Sequence, residues 1–310
     1  MTLKNTPEVS VCVCTFKRPL LLLQLLKSLA AQSFSTTRFE VIVVDNDQAA
    51  SARPVIMQAA VNYPELVVHY ELEPEQGISF ARNRTVTLAQ GTLLAFIDDD
   101  EWAAPHWLSD LVGRLKSRKV DAVLGPVIPH FPSGTRSWVI KCRFFERPRF
   151  ETGTVIGSRY CRTGNALIKA ARLKARWPAA FDNRFALTGG EDYDFFKWLE
   201  RQGGQFVWCD TALVYETVTL PRQRLDYIFE RCLRTSIRYW RDEYSHRSPW
   251  WIFQKAVEGI IGGTGYVVLA TLLFPFSLGK AVQIGCKGVK GLGRAVALTD
   301  LELTGYREGQ

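Results

Sequence analysis

Apolar runs alternate with amphipathic stretches along the first 100 residues of the chain. Three mainly apolar runs, at residues 9–14, 39–44 and 67–71, predict β-strands. Helices that separate strands are predicted at residues 20–31 and 77–91, and a single further strand is predicted later in the chain, at residues 121–127. Strands that alternate with helices in this way predict an α/β fold with a doubly wound, mostly parallel sheet.

A fourth apolar run, Leu93–Ile97, continues directly into three aspartates and a glutamate at residues 98–101. Ligands of open α/β sheets bind at the carboxyl ends of the strands, which is where we expect these four acids. Adjacent carboxylates repel one another, so a hard divalent cation or solvent must offset their charge. The alternative is that the acidic run is only a polar loop before a helix that begins near Pro105.

Two further positions in this region carry candidate chemistry. The carboxylate of Asp45, which follows the second strand, is a candidate acceptor of hydrogen bonds from a base or ribose, although aspartate is also a common turn residue. Arg82 and Arg84 lie in the first turns of the helix predicted at 77–91, where the helix N-terminus favours anions. Arg82 is a candidate contact for a diphosphate, but either arginine taken alone is more typical of a solvated surface.

A second acidic cluster follows about 90 residues later. Gly189 and Gly190 precede Glu191 and Asp192, which open a predicted amphipathic helix. Two glycines let the backbone approach a ligand closely, which favours a functional role for the acids beside them. Acids in a first helical turn also complement the helix dipole, so a purely structural interpretation stays open.

Several motifs together resemble the inverting family 2 glycosyltransferases, which have the GT-A fold. In chain order they read SVCVCTFKRP, VIVVDND, GISFARNR, DDD, TGNALIK and GGEDYDFFKWL, and they cover about the first 220 residues. The resemblance implies a GT-A (Rossmann-like) α/β fold, with a mixed, mostly parallel sheet flanked by helices. It also implies that residues 1–101 form the half of the GT-A domain that binds a nucleotide-sugar donor, which is expected to be UDP-linked. Residues 102–220 are expected to form the half that binds the acceptor.

The resemblance assigns donor-binding roles to individual residues. The positions are Thr15, Phe16, Arg18, Asp45, Arg82, Asp98, Asp99 and Asn165. Thr15 and Phe16 are expected to shape the base pocket, and Asp45 to meet the uracil or ribose. Arg82 is expected near the base and phosphates, and Asn165 beside the donor sugar.

The other roles implied by the resemblance are catalytic. Asp192 is expected to act as the general base, with Glu191 beside it in the acceptor pocket. The DDD run corresponds to the DxD element, in which Asp100 is expected to bind Mn²⁺ or Mg²⁺ together with Asp98 and Glu216. Many relatives have a histidine where this chain has Glu216, so Glu216 is either a metal ligand or only the end of a strand.

One departure from the family concerns processivity. Synthases that polymerise sugars carry a QxxRW motif, whereas residues 234–240 of this chain read RTSIRYW. The difference indicates transfer of a single sugar. The pattern looks most like the non-processive transferases of bacterial exopolysaccharide or cell-envelope glycans, so we expect a lipid-linked (polyprenyl-diphosphate) saccharide as the acceptor.

The C-terminal region, residues 221–310, combines positive charge with the most apolar segment of the chain. From Leu220 onwards there are 13 Lys and Arg against 8 Asp and Glu, which accounts for +5 of the net charge of +8. Residues 259–279 carry no charge, and Trp250, Trp251 and Phe253 precede them. This combination predicts an anionic membrane, and not nucleic acid, as the partner of a helical, membrane-associating region.

The sequence leaves open how this region meets the membrane. The uncharged segment is just long enough to span a bilayer, but Pro275 and several glycines weaken a straight helix. A re-entrant or interfacial hairpin, and a helical pair packed on the catalytic domain, are the alternatives. Basic flanks, together with seven cysteines that include no CxxC pair, favour the cytoplasmic face of a bacterial inner membrane. A basic stripe precedes the apolar segment, at Arg231, Arg234, Arg238 and Arg241.

Two other functions compete with glycosyl transfer. A nucleotidyltransferase of the same fold would carry a glycine-rich phosphate loop after the first strand, and the segment TFKRPLLL contains no glycine. A non-enzymatic membrane adaptor would use only the basic tail, and both acidic clusters would then have no role.

Overall fold

The computed structural model describes residues 6–176, 178–301 and 303. The chain forms two compact units. The first comprises Met1–Pro129 and Arg147–Thr217, and the second comprises His130–Glu146 and Val218–Gln310. The division into donor and acceptor halves near residue 101 is a functional one, and it stays a prediction.

The described residues form two sheets and a series of helices. The strands are β1 (Val9–Thr15), β2 (Phe39–Asp45), β3 (Val68–Leu72), β4 (Leu93–Ile97), β5 (Glu101–Ala103), β6 (Ala122–Leu124), β7 (Val127–His130), β8 (Val155–Ile156), β9 (Asn165–Lys169), β10 (Phe206–Trp208) and β11 (Val214–Thr217). The helices are α1 (Pro19–Ala30), α2 (Arg53–Asn62), α3 (Ile78–Leu88), α4 (Trp107–Ser117), α5 (Ser137–Lys141), α6 (Ala170–Lys174), α7 (Glu191–Arg201), α8 (Leu225–Tyr244), α9 (Pro249–Leu273) and α10 (Leu278–Val296). Helices α5 and α8 to α10 belong to the second unit.

The larger sheet has eight strands in the order β3-β2-β1-β4-β9-β6-β10-β8. β1 pairs in parallel with β2 and β4, whereas β9 is antiparallel to both β4 and β6. This is the mixed, mostly parallel sheet that the sequence predicts. Parallel pairing brings the carboxyl ends of β1, β2 and β4 to one edge, where Thr15 lies opposite Asp45 and β4 leads into residues 98–101.

Both faces of the central strands are covered by helices. Along β1, Val9, Val11 and Val13 pack into a hydrophobic cluster with residues of α1, α2 and α4. Cys12 belongs to a second cluster, which includes residues of α3 and α7. A strand that is buried on both faces needs apolar residues at successive positions, which explains the continuous apolar runs of the sequence.

The structure departs from the predicted secondary structure at one place and adds one helix that the sequence does not predict. The single strand predicted at residues 121–127 is two strands, β6 and β7, in different sheets. Pro126 has no N–H to donate to a strand ladder, and its carbonyl accepts from the Asn165 amide and from Val214 N instead. Helix α2 was not expected, because its apolar positions show little helical periodicity.

In the second unit, α10 packs between α8 and α9. A Cβ atom added at Gly285 of α10 would lie 3.0 Å from the Phe229 ring in α8 and 3.7 Å from Ala270 Cβ in α9. Helices α9 and α10 meet backbone to backbone, since a Cβ at Gly263 would lie 2.9 Å from Gly288 O. Of the glycines that weaken a straight helix in the sequence, Gly263 is part of the contact with α10, whereas a Cβ atom at Gly262 or Gly265 would meet no atom within 4 Å. Helix α9 is continuous through all three.

Helix α9 exposes most of its apolar surface. It has 25 residues, and its most apolar window has a mean hydropathy of 1.6 and is only 17% buried. Ile261 is 70% exposed and Leu272 is 65% exposed. By length and composition this helix is able to cross a membrane, and its exposure distinguishes it from the core helix of a soluble domain.

Candidate active site

The loop after β1 places a hydroxyl and a guanidinium against the acidic run. Thr15 Oγ1 donates to Asp99 Oδ2 at 2.8 Å. Arg18 Nη1 lies 3.0 Å from Asp99 Oδ1 and 3.4 Å from Asp100 Oδ2. Burial raises the pKa of Asp99 above its usual value, while Arg18 and the Thr15 hydrogen bond oppose that shift. The structure therefore brings together four of the residues that the sequence assigns to donor or metal binding.

Arg82 connects this edge to the second acidic cluster. Its side chain, which extends from α3, is 9% exposed and forms ion pairs with Asp98 (Nη2–Oδ1, 3.2 Å) and with Glu191. Glu191 is the first residue of α7, and its side chain is 3% exposed. One buried guanidinium thus holds two acids that lie far apart in the sequence.

The chain conformation before α7 determines where Glu191 and Asp192 lie. Gly189 (φ 73°) and Gly190 (φ 101°) both adopt left-handed conformations that other residues rarely adopt. They turn the chain directly into α7, so that both acids occupy the first helical turn. Asp192 is half-buried, and its Oδ1 accepts a hydrogen bond from Tyr193 N at 2.7 Å.

A third group of charges lies where β5 pairs with β11. The antiparallel register sets Glu101 opposite Glu216, and Arg147 Nη2 lies 3.1 Å from Glu216 Oε2. Glu101 Oε2 accepts from Asp98 N, whereas its Oε1 is buried without a hydrogen-bond partner among the described residues. Burial raises the pKa of Glu101 well above its usual value, Asp98 and Glu216 add to the shift, and Arg147 opposes it. Negative charge is therefore concentrated around residues 98–101.

The chemistry of this edge suits a hard divalent cation, because the candidate ligands are carboxylate oxygens and one buried oxygen of Glu101 lacks a partner. Over the described ranges, however, no three carboxylate, imidazole or thiol groups are gathered closely enough to hold a metal ion. Guanidinium groups act as counter-ions to several of these carboxylates, as the contacts above illustrate. The metal-binding roles of Asp98, Asp100 and Glu216 stay predictions.

Asp45 and Phe16 lie at the same edge. The Asp45 carboxylate is fully buried and accepts from Ala52 N at 2.9 Å and from Tyr70 OH at 3.1 Å, so it fixes the loop after β2. It therefore acts as a turn residue, and its contact with a base or ribose stays a prediction. Phe16 is half-buried, and Lys17 Nζ lies 5.1 Å from its ring centroid.

Asn165 opens β9, as the sequence predicts, and its side-chain amide is fully used by the protein. Its Nδ2 donates to the carbonyls of Pro126 (2.9 Å) and Ala212 (2.8 Å), and its Oδ1 accepts from Trp107 Nε1 at 2.8 Å. These bonds join both sheets and α4 at one point. Asn165 is thus a structural residue at the edge of the site, and its contact with a donor sugar stays a prediction.

Sequence reasoning missed three residues that shape this region. In the sequence Glu101 stands out only as part of the acidic run, whereas in the structure it is 1% exposed and has a buried oxygen without a hydrogen-bond partner among the described residues. Arg147 comes from a stretch with no regular pattern, so nothing in the sequence indicates its pairing. Asn46 Oδ1 accepts from Gly77 N at 2.7 Å and thereby ties the start of α3 to the end of β2. The position of Asn46, directly after a buried strand, is the signal that was available.

Known proteins resemble this chain in sequence and in structure. The sequence matches the family described as Glycosyl transferase family 2 over residues 10–172. It is 32% identical to the succinoglycan biosynthesis protein ExoM of Rhizobium meliloti over 321 aligned residues, which cover 98% of each chain. The mannosyltransferase PcManGT of Pyrobaculum calidifontis, solved with GDP-Man and Mn²⁺, has a TM-score of 0.64 at 17% identity over 96% of this chain and 88% of that chain. S. aureus TarS in complex with UDP-GlcNAc has a TM-score of 0.53 at 18% identity, over 91% of this chain and 90% of that chain.

The strand order, the acids at the strand ends and these structural neighbours together define a GT-A type of fold. The chain belongs to glycosyl transferase family 2 and is a glycosyltransferase. The family, the fold and the enzyme class predicted from the sequence are therefore confirmed. The same membership decides against the nucleotidyltransferase and the non-enzymatic adaptor.

Replacement of Arg82 by methionine should lower the free energy of unfolding by about 3–5 kcal/mol, because the buried Glu191 would lose its counter-ion. Arg184 provides the control, since its side chain is 81% exposed and pairs with Asp182 at the surface. Arg184→Met should cost less than about 1 kcal/mol. Urea unfolding of both variants makes the comparison, and equal effects would contradict a special role of Arg82 in the fold.

Proposed function

We propose that this enzyme transfers one sugar from a UDP-sugar to a lipid-linked (polyprenyl-diphosphate) saccharide, with inversion at the anomeric carbon. The acceptor hydroxyl attacks from the face opposite the departing diphosphate, and the Asp192 carboxylate takes its proton. No covalent sugar–enzyme intermediate is needed. The observation that carries the proposal is the pair of contacts from Arg82 to Asp98 and Glu191, which joins the acidic strand end to the start of α7.

The donor is proposed to lie along the carboxyl ends of β1, β2 and β4. Thr15 and Phe16 would line the base, and Asp45 would meet the uracil or ribose. Open α/β sheets bind ligands at this edge, which supports the assignment. Structural neighbours of this chain hold UDP-GlcNAc and GDP-Man, so the choice of UDP rests on the motifs of the sequence.

A bound Mn²⁺ or Mg²⁺ would supply positive charge for the leaving diphosphate. We assign Asp100 as its main ligand, with Asp98 and Glu216 as the further candidates. Support comes from the all-oxygen donor set and from Glu101, whose pKa is raised first by burial and further by the nearby carboxylates of Asp98 and Glu216. Arg18 already contributes positive charge at Asp100, so it would share the neutralisation of that carboxylate.

The biological product is proposed from the full-length relative. ExoM is named for succinoglycan biosynthesis, and the match extends over 98% of both chains. We therefore propose exopolysaccharide or another cell-envelope glycan as the product. Transfer of a single sugar follows from the segment RTSIRYW, which lacks the QxxRW arrangement of polymerising synthases.

The second unit supports an acceptor that resides in a membrane. Helix α9 exposes apolar side chains, and α10 packs along it and exposes lysines on one face. If α9 crossed the bilayer, α10, which packs along it, would also enter the lipid, and its lysines would be buried there. We propose that the pair lies as a hairpin in the interface of the cytoplasmic leaflet of the inner membrane, with the lysines at anionic headgroups. The lysines are Lys280, Lys287 and Lys290.

Replacement of Asp192 by asparagine should reduce glycosyl transfer by about 10²- to 10⁴-fold, because no base then accepts the hydroxyl proton. Binding of UDP should stay within about 2-fold of the wild type, since the carboxylate is proposed to act on the acceptor only. Transfer is measured from a panel of UDP-sugars to lipid extracted from bacterial membranes. Asp194→Asn is the control on the same helix, where the carboxylate pairs with Arg176 at 2.8 Å. Wild-type turnover in the Asp192 variant would remove the residue from its role.

Replacement of the three lysines of α10 by glutamine should weaken binding to phosphatidylglycerol vesicles about 100-fold. The reason is that each lysine near an anionic membrane surface contributes about 1 kcal/mol to the binding free energy. Co-flotation of the full chain with vesicles measures the binding. A matched control replaces three exposed lysines of the first unit, namely Lys27, Lys119 and Lys174. The interfacial arrangement would be contradicted if both triple variants bound as tightly as the wild type.

A further inference from the structure

The first unit contains a small pocket beside the acidic edge. Its volume is about 250 Å³, and it is lined by residues of β6, β7, β9 and β10 and by two connecting segments, 147–148 and 159–162. Clefts that hold drug-sized ligands have about 300–1,000 Å³, so this pocket has room for about one sugar residue with a substituent. Among the residues that line it, three are arginines, two are large aromatics and none is acidic. These are Arg147, Arg159, Arg162, Tyr160 and Trp208.

The positive charge of the pocket is only partly balanced. Arg147 pairs with Glu216 at 3.1 Å. Arg159 stacks over the Tyr160 ring at 4.5 Å, and Arg162 donates to two backbone carbonyls. No carboxylate in the described part of the chain forms an ion pair with Arg159 or Arg162. The planar guanidinium group of arginine can bind an oxyanion through two parallel hydrogen bonds. Two guanidinium groups without carboxylate partners therefore favour an oxyanion as the ligand of this pocket.

The pocket adjoins the helix that carries the proposed base. Ser158 Oγ donates to Glu200 Oε2 at 2.6 Å and ties the segment before the pocket to α7. The pocket also adjoins the acidic run, because a Cβ atom added at Gly164, directly before the lining residue Asn165, would lie 2.7 Å from Glu101 Oε1 and 3.4 Å from Asp98 Oδ2. Arg82 pairs with Asp98 and with Glu191, the residue before Asp192, which connects this side of the pocket to the start of α7.

We infer that this pocket binds an oxyanion, a phosphate or a carboxylate, that is carried by the acceptor saccharide close to the hydroxyl that receives the sugar. The inference rests on the proposed function, because it assumes that the acceptor binds on the side of the active site where Asp192 lies. Tyr160 and Trp208 add apolar lining to the pocket, and the arginines provide the charge. Apart from Asn165, which is expected beside the donor sugar, none of the residues assigned to the donor lines the pocket.

The test measures binding of glucose, glucose 1-phosphate and glucuronate to the full chain in the presence of saturating UDP and Mg²⁺. Both anionic sugars differ from glucose by one charged group, and UDP keeps the donor site filled. We expect at least one of them to bind about 10-fold or more tightly than glucose, with an affinity that falls as salt is added. The double variant Arg159→Gln/Arg162→Gln should lose this preference. The double variant Arg118→Gln/Arg184→Gln, which removes two exposed arginines of the same unit, should retain it.

The result either identifies the kind of anion that the pocket binds or overturns the inference. Preference for glucose 1-phosphate identifies a phosphate next to the sugar, as in a lipid-linked saccharide, and preference for glucuronate identifies an acidic sugar. Equal binding of glucose and both anions by the wild type overturns the inference. It is also overturned if the Arg159/Arg162 variant keeps the preference, or loses affinity for UDP instead. Because the assay needs no glycosyl transfer, absence of UDP binding in the wild type would count against the proposed function alone.

Discussion

The ion pairs of the buried Arg82 guanidinium are the constraint on which the site depends. Helix α3, the end of β4 and the start of α7 come from separate parts of the chain, and this guanidinium contacts an acid from each of the latter two. Glu191 is almost wholly buried, so its charge has to be met by a partner inside the protein. The position of α7, and with it that of Asp192, is therefore coupled to the acidic strand end.

The same balance of charge recurs along the edge of the sheet. Arg18 meets Asp99 and Asp100, and Arg147 meets Glu216. These arginines come from the loop after β1 and from a segment far along the chain, so folding of the first unit assembles the positive charge that the carboxylates require. A site built in this way holds anionic side chains close together and offers guanidinium groups to anionic ligands beside them.

The sequence predicts the centre of the sheet because β1, β2 and β4 are buried on both faces and each appears as one apolar run. The carboxyl ends of these parallel strands then meet at one edge. The sequence misplaces residues 121–127, where Pro126 moves the chain from one sheet to the other although the residues around it look like a single strand. It predicts Arg82 as a contact for a diphosphate, which stays a prediction, and does not indicate its pairing with Glu191, since pairing across such a distance in the sequence depends on tertiary structure. The pairing of Arg147 with Glu216 is unpredictable for the same reason.

The central claim is that the acids at residues 98–100 and Asp192 face one bound donor. A crystal structure of the full chain with Mn²⁺ and a non-hydrolysable UDP-sugar analogue tests it most directly. The account predicts Mn²⁺ on the Asp100 carboxylate in contact with the diphosphate, and the Asp192 carboxylate on the side of the sugar away from the diphosphate. A donor bound elsewhere, or an Asp192 carboxylate directed away from the sugar, would contradict it.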